Sequence, residues 1–311
     1  KIKILTLLIS CNIYADYQIT VLATNISNYG GFGEWSFSAL YESDKESILF
    51  DTGFHEDTVL HNAKILGKDL SKVNKVVLSH FHSDHTGGLI KLRKTYKNIN
   101  KNAFSEVYVA RGFFDQRFYK DGSKEGPGNF KDSSKFKQKA EEEGIKFIIL
   151  DDHMMISENL YVTGTVERTV EKYNGPMGFF LDEQLTIPDI IKDDQSVGML
   201  TDKGWIMMSG CGHSGIINTA KKLQSIKNVP VYGAIGGFHL FKADNEIISK
   251  TANWLGDNGL KKILATSEIL IILLPLTKET FHIINHKTLS YMPKSAAIIN
   301  AGRGGLINDK A

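Results

Sequence analysis

The 311-residue chain is poor in several features that would fix its class quickly. It has two cysteines, Cys11 and Cys211, which excludes a disulfide framework and a cysteine-rich zinc ribbon. Any metal must therefore rest on histidine and carboxylate. Its charges nearly cancel, with 37 Lys and Arg against 35 Asp and Glu, so neither a basic field for nucleic acid nor an acidic solvating tract is present. The expected partner is a small molecule. No apolar run is long enough to cross a bilayer as a helix. There is no G-x-S-x-G, so nothing marks a serine nucleophile on a strained strand-to-helix turn. A composition of 42% hydrophobic and 23% charged residues leaves an ordinary globular chain, long enough for one large domain or two small ones.

Three regions differ in composition. Residues 1–15 carry Lys1 and Lys3 before the apolar run Ile4 to Ile9, and small or polar residues follow up to Ala15, the layout of a secretory signal. Leu8-Ile9-Ser10-Cys11 also fits a lipobox, in which Cys11 would be acylated and become a lipid anchor. These readings place the protein outside the cytoplasm, secreted or periplasmic. The same run read as a first β-strand leaves it cytoplasmic. Residues 16–262 form the second region and 263–311 the third, which is basic again.

Within 16–262, short β-branched runs alternate with helical patterns. Gln18 to Ala23, Ile48 to Phe50, Lys75 to Leu78, Val107 to Ala110, Phe147 to Leu150, Tyr161 to Thr163, Gly198 to Leu200, Trp205 to Met208 and Val231 to Ile235 read as strands. Thr58 to Leu66, Gly87 to Thr95, Ser134 to Glu143, Ile216 to Ile226 and Asp244 to Gly256 read as helices. Strands come first in pairs and then alternate with helices, so an α/β protein with a mixed sheet is expected. The Gly- and Lys-rich stretch Asp115 to Lys137 reads as a loop over a site or, by preference, as a solvated insertion.

The string Ser79-His80-Phe81-His82-Ser83-Asp84-His85-Thr86-Gly87-Gly88 directly follows a strand. In extended backbone His80 and His82 point the same way, because side chains repeat every two residues. Asp84 and His85 follow as the chain turns into a helix and can address a second point nearby. One short loop can thus serve two cations.

This H-x-H-x-D-H string resembles the metal-binding signature of the metallo-β-lactamase superfamily. Asp51-Thr52-Gly53, Leu60-His61-Asn62-Ala63, Asp193-Asp194-Gln195, Ser209 to Thr219 and Gly236-Gly237-Phe238-His239-Leu240 are similar to its branch of 7,8-dihydropterin-6-methyl-4-(β-D-ribofuranosyl)-aminobenzene-5′-phosphate synthase-like proteins. The resemblance covers residues 17 to 264. It implies an αββα sandwich with metals at one edge of the paired sheets. It further implies His80, His82, Asp84, His85, His213 and His239 as metal ligands, the last two returned from strand ends at Gly-flanked turns. Cys211 stands where many members place a bridging carboxylate and is either a thiolate ligand or a small buried residue. Asp51 either orients a ligand histidine or simply opens the Asp-Thr-Gly turn.

The chemistry expected of such a site is hydrolysis by a metal-bound hydroxide, with Asp84 accepting the proton. Zn²⁺ in one or two copies is the first choice, and Mn²⁺ or Fe²⁺ also suit nitrogen and oxygen ligands. A phosphoester, a lactone or a pterin-phosphate-like molecule is the expected substrate; Arg111, Arg117 and Arg168 are candidate phosphate contacts, though each reads by preference as a plain surface charge.

Beyond residue 262, Ile269 to Thr280, Met292-Pro293-Lys294 and Ile298 to Gly305 resemble part of the NAD-binding domain of D-isomer-specific 2-hydroxyacid dehydrogenases. In that family the arginine matched by Arg303 binds a substrate carboxylate. A truncated Rossmann-like C-terminal fragment is therefore expected beside the sandwich. No G-x-G-x-x-G after a strand is read anywhere in the chain, and Gly30 to Gly33 lacks both the spacing and the βαβ setting, which disfavours an NAD-dependent oxidoreductase. Ser267-Glu268 stands where the superfamily usually supplies a last histidine. A metal-binding protein of weak or no activity is the alternative this raises. His282 and His286 are read as surface positions.

Overall fold

The computed structural model describes residues 17–27, 29–172 and 178–240, then 246–247, 250–251, 254, 269–272, 278, 281–292, 294, 297–300, 304–308 and 310. The predicted leader with Cys11, the junction around Ser267, most of the predicted helix at 244–256 and Arg303 lie outside the described residues.

Two sheets carry the molecule. The first runs β1 (Gln18–Ala23), β2 (Ser38–Glu42), β3 (Ser47–Phe50), β4 (Val73–Val77), β5 (Glu106–Ala110) and β8 (Lys146–Leu150), antiparallel up to β3 and parallel thereafter. The second runs β14 (Val231–Gly236), β13 (Gly204–Ser209), β12 (Ser196–Thr201), β10 (Leu160–Val162) and β9 (Met154–Ser157), with only β13 and β14 parallel. A ribbon of β6 (Arg117–Tyr119), β7 (Lys124–Glu125) and β11 (Phe179–Phe180) lies apart from both.

Alternation along the strands builds the layers. Ala39, Tyr41, Ile48, Phe50 and Tyr108 pack with Leu160, Val162, Val197, Met199 and Met208 between the sheets. Leu40, Leu49, Val107 and Val109 point the other way and pack with Val59, Leu89, Leu92 and Phe136. These belong to α1 (Thr58–Ile65), α3 (Leu89–Tyr96) and α4 (Ser133–Glu142). Strands covered on both faces read as unbroken apolar runs, which is why they stand out in the sequence. Trp205 and Met207 meet Ile216, Ala220 and Leu223 of α5 (Ile216–Ile226) on the outside of the second sheet. The order of layers is helix, sheet, sheet, helix: the expected αββα sandwich.

β2, which the sequence reading does not pick out, opens on a polar residue and holds only three apolar positions. Ser38 is buried there, and its hydroxyl donates to the carbonyl of Asp51 at 2.8 Å. Toward the C-terminus, β15 (Ile269–Ile272) and β16 (Ala297–Asn300) form a parallel pair, with the short α6 (His286–Leu289) between them in sequence. His286 is exposed and His282 half-buried, as expected of surface positions. No helix among the described residues is long and apolar enough to cross a membrane.

Candidate metal centre

The chain leaves β4 at Val77 and reaches α2 (Ser83–Thr86) through Ser79, His80, Phe81 and His82. Asp51, at the end of the neighbouring β3, sets this loop. Its backbone takes φ 56°, a left-handed conformation that Asp tolerates better than most residues. One carboxylate oxygen accepts the Ser79 N–H at 2.6 Å, and the other accepts the Ser79 hydroxyl at 2.8 Å and the His85 Nδ1 proton at 2.6 Å. Asp51 thus orients a histidine as well as opening its turn. With Nδ1 committed, His85 presents Nε2 at 3.1 Å from Cys211 Sγ and 3.6 Å from Asp84 Oδ2.

His80 is oriented in the same manner. Its Nδ1 meets the Ser79 hydroxyl at 2.9 Å, and its Nε2 faces His82 Nδ1 at 2.9 Å. His82 Nε2 is buried and has no hydrogen-bond partner among the described residues. Either tautomer of His82 therefore leaves one ring nitrogen unsatisfied, which a cation between the rings would relieve.

Two donor groups emerge, each with ligand atoms within 4.8 Å of one another: His80, Cys211 and His213, and Asp84, His85 and Cys211. Cys211 belongs to both. The His82 ring lies 5.1 Å from that of His213, and the His239 ring 4.4 Å from it. The structure thus gathers all six predicted ligands, with Asp51 behind them and Cys211 at their centre. The donor set of imidazole, thiol and carboxylate suits Zn²⁺.

Burial holds His80 and His82 well below the usual imidazole range, and neighbouring imidazoles push His80 further down. Both are neutral acceptors. Burial opposes charge on His85 too, but Cys211, Asp84 and Asp51 outweigh it and raise that imidazole well above its ordinary value. Burial pushes the Cys211 thiol up, with His85 pulling it down. A divalent cation would reverse the balance at His85 and Cys211 by taking the lone pairs itself.

Close approach of the loops demands glycine at 210. A Cβ there would come within 2.1 Å of the Ser79 hydroxyl and 2.8 Å of Asp51 Oδ2. The Asp193-Asp194-Gln195 run braces the loops from the other side. Asp193 accepts the Phe81 N–H at 2.8 Å, Gln195 N–H donates to Ser79 O at 2.8 Å and its side chain to Leu78 O at 2.9 Å. Asp194 accepts the Ser214 N–H at 2.8 Å, fixing the turn that carries His213.

The stretch 115–137 is no solvated insertion. Gly128 N–H donates to the Thr86 hydroxyl of α2 at 2.7 Å, seating the stretch over the metal loop. Arg117 anchors it: the guanidinium is buried 3.9 Å above the Phe81 ring, 3.0 Å from Asp189 and 2.6 Å from Asp193. The sequence offered Arg117 as a phosphate contact, and its burial between two carboxylates corrects that. Arg168 spends one nitrogen on the carbonyls of Ile190 and Ile191, and Arg111 pairs with Asp151 on the surface. None of the three faces the centre as an open cation.

One further reading needs correction. Gly210-Cys211-Gly212-His213-Ser214-Gly215 does carry the G-x-G-x-x-G spacing, between β13 and α5, with β14 parallel beyond. The place a pyrophosphate would take at the start of α5 is filled by Glu171, whose carboxylate accepts the N–H groups of Ile217 at 2.6 Å and Asn218 at 3.2 Å. The loop turns its Cys and His into the metal centre instead.

Comparison with known proteins agrees with this geometry. Residues 36–221 match the model of the metallo-β-lactamase superfamily, and residues 237–311 that of the D-isomer specific 2-hydroxyacid dehydrogenase NAD binding domain. The chain is 30% identical over 260 residues to the 7,8-dihydropterin-6-methyl-4-(β-D-ribofuranosyl)-aminobenzene-5′-phosphate synthase of Methanocaldococcus jannaschii, covering 80% of this chain and 86% of that one. A stretch of 52 residues, 17% of the chain, is 48% identical to 16% of glyoxylate/hydroxypyruvate reductase B of Serratia proteamaculans. The crystal structure of Tm1679, described as a metal-dependent hydrolase of the β-lactamase superfamily, superposes with a TM-score of 0.65 at 24% identity, covering 92% of this chain and 96% of that one. With its αββα layers, its converging histidines and a family match over most of the sandwich, the chain belongs to the metallo-β-lactamase superfamily.

Proposed function

We propose that the protein is a metal-dependent hydrolase of small molecules, acting on a phosphoester, a lactone or a pterin-phosphate-like compound. The observation that carries this reading is the pair of donor groups sharing Cys211. His80, His82, His213 and Cys211 would hold one cation, and Asp84, His85 and Cys211 the other, with His239 beside His213. Zn²⁺ is the favoured ion. A divalent cation so held supplies Lewis acidity and brings the pKa of water from about 15.7 to near 7.

The chain's own residues do the rest. Asp51 keeps His85 in the tautomer that turns Nε2 inward, and Ser79 does so for His80. Asp84, partly exposed in the first turn of α2, would take and return the proton of the attacking water. The ribbon over Phe81 and His82 limits access of bulk water. The relative named as a synthase supports a pterin-type substrate, and the resemblance supports hydrolysis.

The test is metal content of the purified full chain, followed by turnover of bis(4-nitrophenyl) phosphate and a lactone by the wild type and His82→Ala. Bound Zn²⁺ with turnover lost in the variant is the expected result. A second reading, metal binding with little turnover, is favoured by the dehydrogenase-type match that takes over from Gly237. Bound metal with turnover indifferent to His82 would select it.

A further inference from the structure

The ribbon has two faces, and its register assigns residues to each. Arg117 is paired with Glu125, and Tyr119 with Phe179. Residues directly opposite in antiparallel strands share a face, and residues two apart along a strand do so too. Arg117, Tyr119, Glu125 and Phe179 therefore lie on one side. Phe118, Lys124 and Phe180 take the other. Arg117 identifies the first side as the one facing the metal loops, because its guanidinium sits over Phe81.

The remaining three residues of that face border the centre and are not consumed by structure. The Phe179 ring lies 5.5 Å from His82 and 5.9 Å from Phe81. Tyr119, 37% exposed, packs 4.8 Å from Phe179. Its hydroxyl lies within electrostatic reach of the half-buried Glu125 carboxylate, which also feels the charge of Asp84. Glu125 is followed at once by Gly126 to Asn129, the turn docked on α2 through Gly128, so it stands at the rim of the metal centre.

We propose that Tyr119, Glu125 and Phe179 form a recognition site for a flat nitrogen heterocycle that presents two neighbouring N–H donors, such as a 2-amino-4-oxopyrimidine edge. Two aromatic rings at one rim offer a stacking surface to a planar ring. The carboxylate beside them can accept a pair of parallel N–H bonds, the geometry it uses for a guanidinium. Glu125 has acceptor capacity for such a pair even beside the Tyr119 hydroxyl, since a carboxylate has about four lone-pair sites. The site deepens the hydrolase proposal and rests on it: the ring would be held at the rim while a substituent reaches the metals.

The experiment is fluorescence titration of the zinc-loaded full chain with 6-methylpterin and with 6-methyllumazine, in which an oxo group replaces the 2-amino group. The wild type should prefer the pterin by about tenfold or more, the worth of one charge-assisted hydrogen bond. Glu125→Gln should erase that preference with metal content unchanged, and Phe179→Ala should weaken both ligands by about tenfold. Equal binding of the two compounds by the wild type, binding of neither, or a preference that survives Glu125→Gln would overturn the proposal. Loss of zinc from Glu125→Gln would overturn it as well, by making Glu125 a prop of the metal loops. Wild-type turnover of bis(4-nitrophenyl) phosphate decides the hydrolase reading separately from all of these.

Discussion

The carboxylate of Asp51 and the imidazole of His85 meet at 2.6 Å, both buried, 34 residues apart in sequence. This contact decides which nitrogen His85 turns toward Cys211 and Asp84. Replacing Asp51 by Asn keeps the shape but offers an amide that can turn its NH₂ toward His85 Nδ1, so the ring loses its fixed tautomer. Metal affinity is expected to fall about 10–100-fold in Asp51→Asn, measured by competition with a chromogenic chelator. Unchanged affinity would remove Asp51 from the centre.

Arg117 should govern stability rather than substrate affinity. Removing it leaves Asp189 and Asp193 buried without their cation. Arg117→Met is expected to destabilise the fold by about 3–5 kcal/mol in urea unfolding, the range for breaking a buried ion pair. The double change of Arg117→Met with Asp193→Asn should recover part of the loss.

Gly210→Ala places a methyl against the Ser79 hydroxyl and Asp51. The crowding acts on the groups that orient His80 and His85, so metal stoichiometry should drop while circular dichroism of the sandwich persists. A fully loaded variant would show that the loops can yield.

Asp194 gives a pH signature in the metal-free protein. Burial raises its carboxyl to about 6, against the N–H of Ser214 that pulls it down. The unfolded carboxyl titrates near 3.9. Between about pH 4 and 6 the folded group holds a proton that the unfolded chain has lost, so its contribution to stability declines as pH rises through that window and is level above it. Asp194→Asn lacks this decline. Its stability relative to wild type should improve by about 1–3 kcal/mol from pH 4 to pH 7 in urea titrations. A constant difference would place the Asp194 pKa near its unfolded value.

Much of this centre was legible because its residues stand in short strings after strands. His80, His82, Asp84 and His85 occupy six consecutive positions, and β4 before them reads as a buried strand from Val73, Val76 and Val77 alone. Less legible were the residues that act across long separations. Ser79 looks like a filler within the motif, yet it links Asp51 to His80. Arg117 looked like a surface cation because its partners, Asp189 and Asp193, lie 72 and 76 residues away. The ribbon was invisible because strands of two or three residues leave no periodicity to detect. The spacing at Gly210 to Gly215 misleads in the opposite sense, since only Glu171 at the head of α5 reveals that a carboxylate holds the amides.

The braces from Asp193 and Gln195 close chain loops of 112 and 117 residues onto Phe81 and Leu78. Contacts of such separation form late, because the entropy of closing the chain precedes their reward. During synthesis the histidine loop leaves the ribosome more than a hundred residues ahead of its supports. Completion of a centre of this kind is timed by translation: a divalent ion would be locked in only after the turn carrying Cys211 and His213 is made, and a nascent chain stalled before Asp193 should release a bound divalent cation as readily as an unfolded peptide.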